Sequence, residues 1–139
     1  MEQNPIENKI QEILHDTRLE LPAFSPTEER AVIHRFRQYL DLWAKWNEKT
    51  NLTAETSPID FLRNHIFVSL QFVRAVKSQF GIADIGSGAG LPGIPIKIVL
   101  PELFCYLVES RRKRANFLKT VVRELECENI QVENERVEE

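Results

Sequence analysis

The sequence predicts an α/β protein, with a helical front of about 80 residues followed by the opening half of a doubly wound, parallel sheet. Three observations carry that reading. All five glycines lie between residues 81 and 93, so the chain before them lacks the residue that most often interrupts helices. Apolar residues before residue 80 recur at the three-and-four spacing of a helix face. Beyond residue 80 the pattern alternates strand, helix, strand, helix, strand, the order that winds a parallel sheet.

Each element has its own signal. Ile6, Ile10, Ile13 and Leu14 form the face of a short amphipathic helix over residues 4–18. Ser25-Pro26-Thr27-Glu28 supplies a capping hydroxyl, a proline at the first helical position and a capping-box carboxylate. A second helix therefore starts near Pro26, and Val32, Ile33, Phe36, Tyr39, Leu40, Trp43 and Trp46 give it one apolar face to about residue 48. Ser57-Pro58-Ile59-Asp60 opens a third, continued by Leu62, Ile66, Leu70, Val73 and Val76. Between the second and third helices, the stretch 46–53 reads as a polar turn or as a loop presenting amides to a ligand. Residues 82–85, 103–108 and 129–133 then read as strands, and residues 94–100 and 111–125 as the helices between them. The expected organisation is a helical region over 1–80 and a sheet region over 81–139.

Composition excludes several classes of protein. A chain that is 42% hydrophobic and 28% charged is too apolar for a disordered tail. A net charge of −3 excludes a protein that coats nucleic acid by overall basicity. No apolar run reaches the ~20 residues of a membrane span, and the polar, acidic start lacks the pattern of a signal peptide, so a cytoplasmic protein without membrane contact is expected. Cys105 and Cys127 form no metal-binding or disulfide pattern; Cys105, inside an apolar run, is expected to pack as a small hydrophobe, and no metal is expected.

The glycines carry the chemistry. A phosphate-binding P-loop needs Lys and Ser or Thr after its last glycine, yet Ile94-Pro95 follows Gly93. A dinucleotide fingerprint would need glycine where Leu91 stands, which disfavours a nicotinamide-dependent oxidoreductase. What remains is Asp84-x-Gly86-Ser87-Gly88-x-Gly90, in which the missing side chains permit a tight turn and close approach of a ligand. Glu109 ends the next strand, where an acid can accept hydrogen bonds from ribose hydroxyls. The combination resembles motif I and the ribose-binding acid of class I S-adenosylmethionine-dependent methyltransferases.

Longer blocks narrow the resemblance. Trp46-Asn47 with Asn51-Leu52-Thr53, His65-Ile66, the run Gly86 to Pro95, Glu109-Ser110 with Lys113 and Phe117-Leu118, and the terminal Arg136-Val137-Glu138-Glu139 resemble the RsmG (GidB) family of ribosomal RNA methyltransferases. The resemblance implies a Rossmann-like domain that transfers methyl from S-adenosylmethionine to guanine N7 of nucleotide 527 in the 16S RNA of the small ribosomal subunit. It further implies that Asp84, Gly86, Ser87, Gly88, Gly90, Leu91, Glu109, Val137 and Glu138 hold the cofactor. Asn51, Thr53 and His65 would line the approach to the methyl group, and Arg136 would contact RNA.

Charge placement bears on the RNA separately. Residues 110–123 carry Arg111, Arg112, Lys113, Arg114, Lys119 and Arg123 without an acid, whereas 124–139 carry seven acids and only Arg136. The four leading cations oppose the helix dipole, so they read either as a solvated face or as phosphate contacts. Two positions depart from the resemblance, since Val68 stands where the family has an acid and Asn64 replaces its usual basic residue. The family's sheet also continues through further strands. The chain is therefore expected to be an N-terminal portion, inactive alone and prone to self-association through a bare strand edge. A non-enzymatic structural or cofactor-binding fragment is the alternative.

Overall fold

The computed structural model describes residues 4–136. Helix α1 (Pro5–Leu14) starts on the Asn4 side chain, which accepts from the Ile6 and Glu7 amides. It ends earlier than the apolar spacing suggested, because Asp16 caps a separate 3₁₀ turn over Thr17–Leu19. Helix α2 (Pro26–Thr50) begins on the complete Ser25–Glu28 capping box. It runs two residues past the expected end, so residues 46–50 are helical and the turn starts at Asn51, the left-handed cap with φ of 52°.

The third helical stretch is segmented. Ser57 caps α3 (Pro58–Phe61), a π-helical turn follows over Leu62–Ile66, and α4 (Phe67–Leu70) and α5 (Val73–Val76) complete it. The register shift still turns Phe61, Leu62, Ile66, Leu70 and Val73 inward, and each is fully buried.

Three parallel strands follow in the order β1-β2-β3: β1 (Gly81–Ile85), β2 (Phe104–Val108) and β3 (Ile130–Glu133). Helix α6 (Gly93–Val99) joins β1 to β2, and α7 (Arg112–Glu124) joins β2 to β3. Strand side chains alternate between faces. Asp84, Cys105 and Leu107 are buried toward the helices, whereas Ala83, Ile85 and Tyr106 are exposed on the opposite face.

Helix α6 lies between the sheet and the helical front, and every one of its residues is buried. This explains its apolar run, which Lys97 alone interrupts, and the burial of that lysine, which is 2% exposed. The Lys97 ammonium donates to the Pro101 and Leu103 carbonyls, both at 2.6 Å, and so satisfies acceptors at the end of the helix.

One apolar core runs from Ile10 to Leu125. Its centre is aromatic. Trp43 stacks on Phe61 with centroids 4.3 Å apart, Tyr39 meets Phe61 edge-on at 5.8 Å, and Phe117 of α7 packs near Tyr39 and Trp46. Helix α2 is thereby locked across α6 and α7. Cys105 is fully buried, as expected from its apolar run, and burial pushes its thiol up to about 11.

Candidate nucleoside-binding site

The turn after β1 is held open from both sides. Gly86, Gly88 and Gly90 adopt φ of 77°, 54° and 90°, values that side-chain-bearing residues rarely take. The Gly86 and Ser87 amides donate to the Val108 carbonyl, which ties the turn to the end of β2. The Ser87 hydroxyl donates to the Asp84 carbonyl at 2.8 Å. Asp84, 8% exposed, accepts from the Gly93 amide at 3.0 Å and so fixes the start of α6. Burial raises its carboxyl above the ordinary range, against the lowering effect of the Gly93 amide and Ser87, and Glu109 adds to the rise.

Glu109 joins the turn to the next strand. It is 4% exposed, and its two oxygens accept from the Gly88 amide at 2.9 Å and the Arg111 amide at 2.7 Å. A carboxylate offers about four lone-pair directions, so two remain after these bonds. Asn134 donates to the Glu109 and Ser110 carbonyls and draws the end of β3 to the same place. A β-carbon built on Gly86 would meet nothing within 4 Å, so there is room in front of the turn for a ligand to reach the backbone.

The substrate-side candidates form two groups, of which the one at Asn51 is tied to this turn. Arg114 on α7 donates to the Asn51 carbonyl at 3.3 Å, and a β-carbon on Gly88 would lie 3.8 Å from its guanidinium, so it links the Asn51 turn to the glycine turn. Thr53 is held by the Trp43 indole, which donates to its hydroxyl at 3.0 Å, and by Asn47, whose side-chain oxygen accepts from its amide. His65 sits on the π-helical turn with its Nε2 2.8 Å from the Glu55 carboxylate. An acid thus stands beside this histidine although Val68 does not supply one; Val68 itself is 47% exposed.

Not every candidate converges. Leu91 follows the turn and is half-buried. Arg111, Arg112 and Lys113 are exposed at the start of α7 and form no ion pair among the described residues. No side-chain cap relieves that helix start. Arg136 is exposed, and Val137 and Glu138 lie outside the described residues. Among the described residues no cluster of potential metal ligands occurs, and no helix is long and apolar enough to cross a membrane.

Sequence reasoning missed Tyr39. Its ring is fully buried in the helical front, and its hydroxyl donates to the Ala89 carbonyl inside the glycine turn at 2.6 Å. Burial, and secondarily the charge of Asp84, push its ionisation well above the ordinary tyrosine value, so it remains a donor. The periodicity of α2 marked Tyr39 as core without showing where its hydroxyl ends. Tyr39→Phe should keep the packing and lose this bond, lowering stability by about 1 kcal/mol. The paired check is exchange of the Gly90 amide, which should quicken more than amides in α2; equal change in both would show that the hydroxyl does not steady the turn.

A parallel sheet wound β-α-β-α-β, with a glycine turn after its first strand and a buried acid after its second, places the chain among α/β proteins of Rossmann-like winding. It belongs to the rRNA small subunit methyltransferase G family, whose model matches residues 32–139. A Ribosomal RNA small subunit methyltransferase G of Desulfitobacterium hafniense is 45% identical over 106 residues, covering 76% of this chain and 44% of that one. Its counterpart in Nitrosomonas europaea is 40% identical over 129 residues, 93% of this chain and 59% of the relative. That of Nitrosospira multiformis is 48% identical over 107 residues, 75% and 48% respectively. The chain therefore spans about half the length of the curated relatives it matches.

Proposed function

We propose that this chain forms the cofactor-holding half of an S-adenosylmethionine-dependent methyltransferase acting on 16S ribosomal RNA in the small subunit, with guanine N7 of nucleotide 527 as the acceptor. The observation that carries the reading is the Glu109–Gly88 bond within a chain of this family: the acid of the second strand and the glycine turn of the first form one unit, with open space in front of Gly86. The bacterial cytoplasm is the compartment this substrate requires.

In this reading the backbone of residues 84–90 holds the methionine end, and Glu109 uses its free lone pairs for the ribose hydroxyls. Val137 and Glu138 are assigned to the adenine edge. The cofactor, when bound, supplies an electrophilic methyl group. Guanine N7 already carries an in-plane lone pair, so the chain needs no strong base; it must align nucleophile and methyl group and hold them together, which can supply much of the acceleration. Asn51, Thr53 and His65 are assigned to positioning the base. Arg111, Arg112, Lys113 and Arg136 are assigned to phosphates, an attraction that should weaken with salt.

The half-length match supports a second reading, in which the chain alone is a structural or weakly cofactor-binding fragment without activity. The two agree on the site and differ on turnover. With millimolar S-adenosylhomocysteine, the amide resonances of Gly86, Gly88 and Gly90 should shift in nitrogen-proton NMR spectra, while NADH should leave them in place. Unmoved glycines, or a response to NADH instead, would refute the cofactor assignment. Transfer of labelled methyl to small subunits lacking the modification, absent from this chain and present when the rest of the fold is restored, would identify it as an inactive half.

A further inference from the structure

The hydrogens in the cluster around His65 have determined directions, and the sequence of directions starts at Trp43. An indole nitrogen only donates. The Trp43 Nε1 lies 3.0 Å from the Thr53 hydroxyl oxygen, so that oxygen is the acceptor and its own proton is turned elsewhere. It is given to the Glu55 carboxylate. Burial works against the charge on Glu55, but its own backbone amide, His65 and Thr53 outweigh burial and hold the carboxyl below its ordinary range. An ionised carboxylate only accepts. His65 Nε2, 2.8 Å from it, is therefore the ring nitrogen that carries hydrogen.

This acid is delivered by the loop after α2 and not by the histidine's own helix. Asn47 pins the loop at two points: its side-chain amide donates to the Glu55 carbonyl at 3.0 Å, and its oxygen accepts from the Thr53 amide at 2.9 Å. On the helical side, Asp60 lies with Arg63 at 4.0 Å, and Val68 has no polar side-chain atom to offer. The His65 ring packs 5.6 Å from that of Phe61, which is fully buried and stacks on Trp43, so both ends of the relay rest on one fixed aromatic. The π-helical turn that carries His65 is a feature frequent at functional sites. The other ring nitrogen, Nδ1, has no hydrogen-bond partner among the described residues, and the side chain is 33% exposed. We propose that Glu55 is a positioning residue: through the Trp43–Thr53–Glu55 relay it fixes His65 with hydrogen on Nε2 and leaves Nδ1 as a bare acceptor for an N–H group of a ligand.

In the function proposed above, on which this step rests, His65 meets the base to be methylated. A bare Nδ1 suits guanine, whose N1 and N2 both carry hydrogen on the edge remote from N7. Adenine presents a lone pair at N1, and two facing lone pairs repel. Without Glu55 the ring is free to turn or to move its hydrogen between nitrogens, and the discrimination is lost.

The test uses the 139-residue chain with isotope-labelled histidine. In long-range nitrogen-proton NMR spectra recorded above the ring's own titration, His65 is expected with a directly observable Nε2 proton. His34, exposed on α2, should show none, and His65→Gln identifies the signal by removing it. Glu55→Ala should speed exchange of that proton with water about tenfold or more, the factor for losing a hydrogen bond to a charged acceptor. Thr53→Val, which removes the hydroxyl and keeps the carboxylate, should quicken it less. Glu55→Gln keeps an acceptor oxygen and should restore a slow proton, although the two Glu55 variants should melt within about 2 °C of each other. A merely structural role would not separate them. Millimolar guanosine monophosphate should shift the Nδ1 resonance, and adenosine monophosphate should shift it less. Hydrogen on Nδ1, or an Nε2 proton that exchanges equally fast with and without Glu55, would overturn the proposal. A slow Nε2 proton with no response to guanosine monophosphate would leave Glu55 as the positioning residue and count against the assignment of His65 to the base.

Discussion

Gly90→Ala is expected to lower the melting temperature by about 10–20 °C. Two costs coincide there. At φ of 90° any side-chain-bearing residue is strained, by about 1–3 kcal/mol. The added carbon would lie 2.6 Å from Ile94 Cγ1 and 3.1 Å from Leu118 Cδ2, inside a buried junction of the turn with α6 and α7. Ile94 branches at its β-carbon and is fully buried, so it has little freedom to withdraw, and overpacking adds about 1–3 kcal/mol. Circular dichroism melts provide the check. Gly86→Ala separates strain from crowding, because its β-carbon meets nothing within 4 Å and only the φ of 77° opposes it. It should melt above Gly90→Ala, and the reverse order would contradict the packing described.

Glu109→Ala is the second large effect, at about 2–4 kcal/mol. Hydrogen bonds to a charged group contribute about 1.5–3 kcal/mol each, and here the Gly88 and Arg111 amides lose their acceptor together. Arg111 is exposed and can recover a water, so the sum falls short of two full bonds. Glu109→Gln keeps one acceptor oxygen and should recover roughly half of the loss in urea unfolding. Identical curves for the alanine and glutamine variants would mean that the carboxylate does not hold the turn. For function the same change should abolish the response of the glycine amides to S-adenosylhomocysteine, while Gln retains part of it.

The local elements were legible because their signals are local. Ser25 and Ser57 followed by proline marked two helix starts, and both serines cap there. Gly86, Gly88 and Gly90 marked the turn, and all three have positive φ. Glu109 was legible as the acid ending β2, and it does meet the glycine turn. The single helix read over 57–76 proved segmented, because a π turn keeps the same residues inward and leaves no trace in their spacing. The end of α2 was set two residues early, since Asn47 and Glu48 look like turn residues while the cap is Asn51.

What the sequence determined by itself was the winding of the sheet, the place of its glycine turn and the acid that faces it. These follow from periodicity, capping and turn chemistry, all carried by residues within a few positions of one another. Only the tertiary structure decided that Tyr39 reaches the Ala89 carbonyl across 50 residues, that Glu55 pairs with His65, and that Lys97 is buried at the end of α6. It alone fixed the strand order β1-β2-β3, which leaves an unpaired outer edge on both β1 and β3. Long-range pairings depend on how elements pack, and strand order depends on the handedness of crossovers rather than on the composition of any one strand.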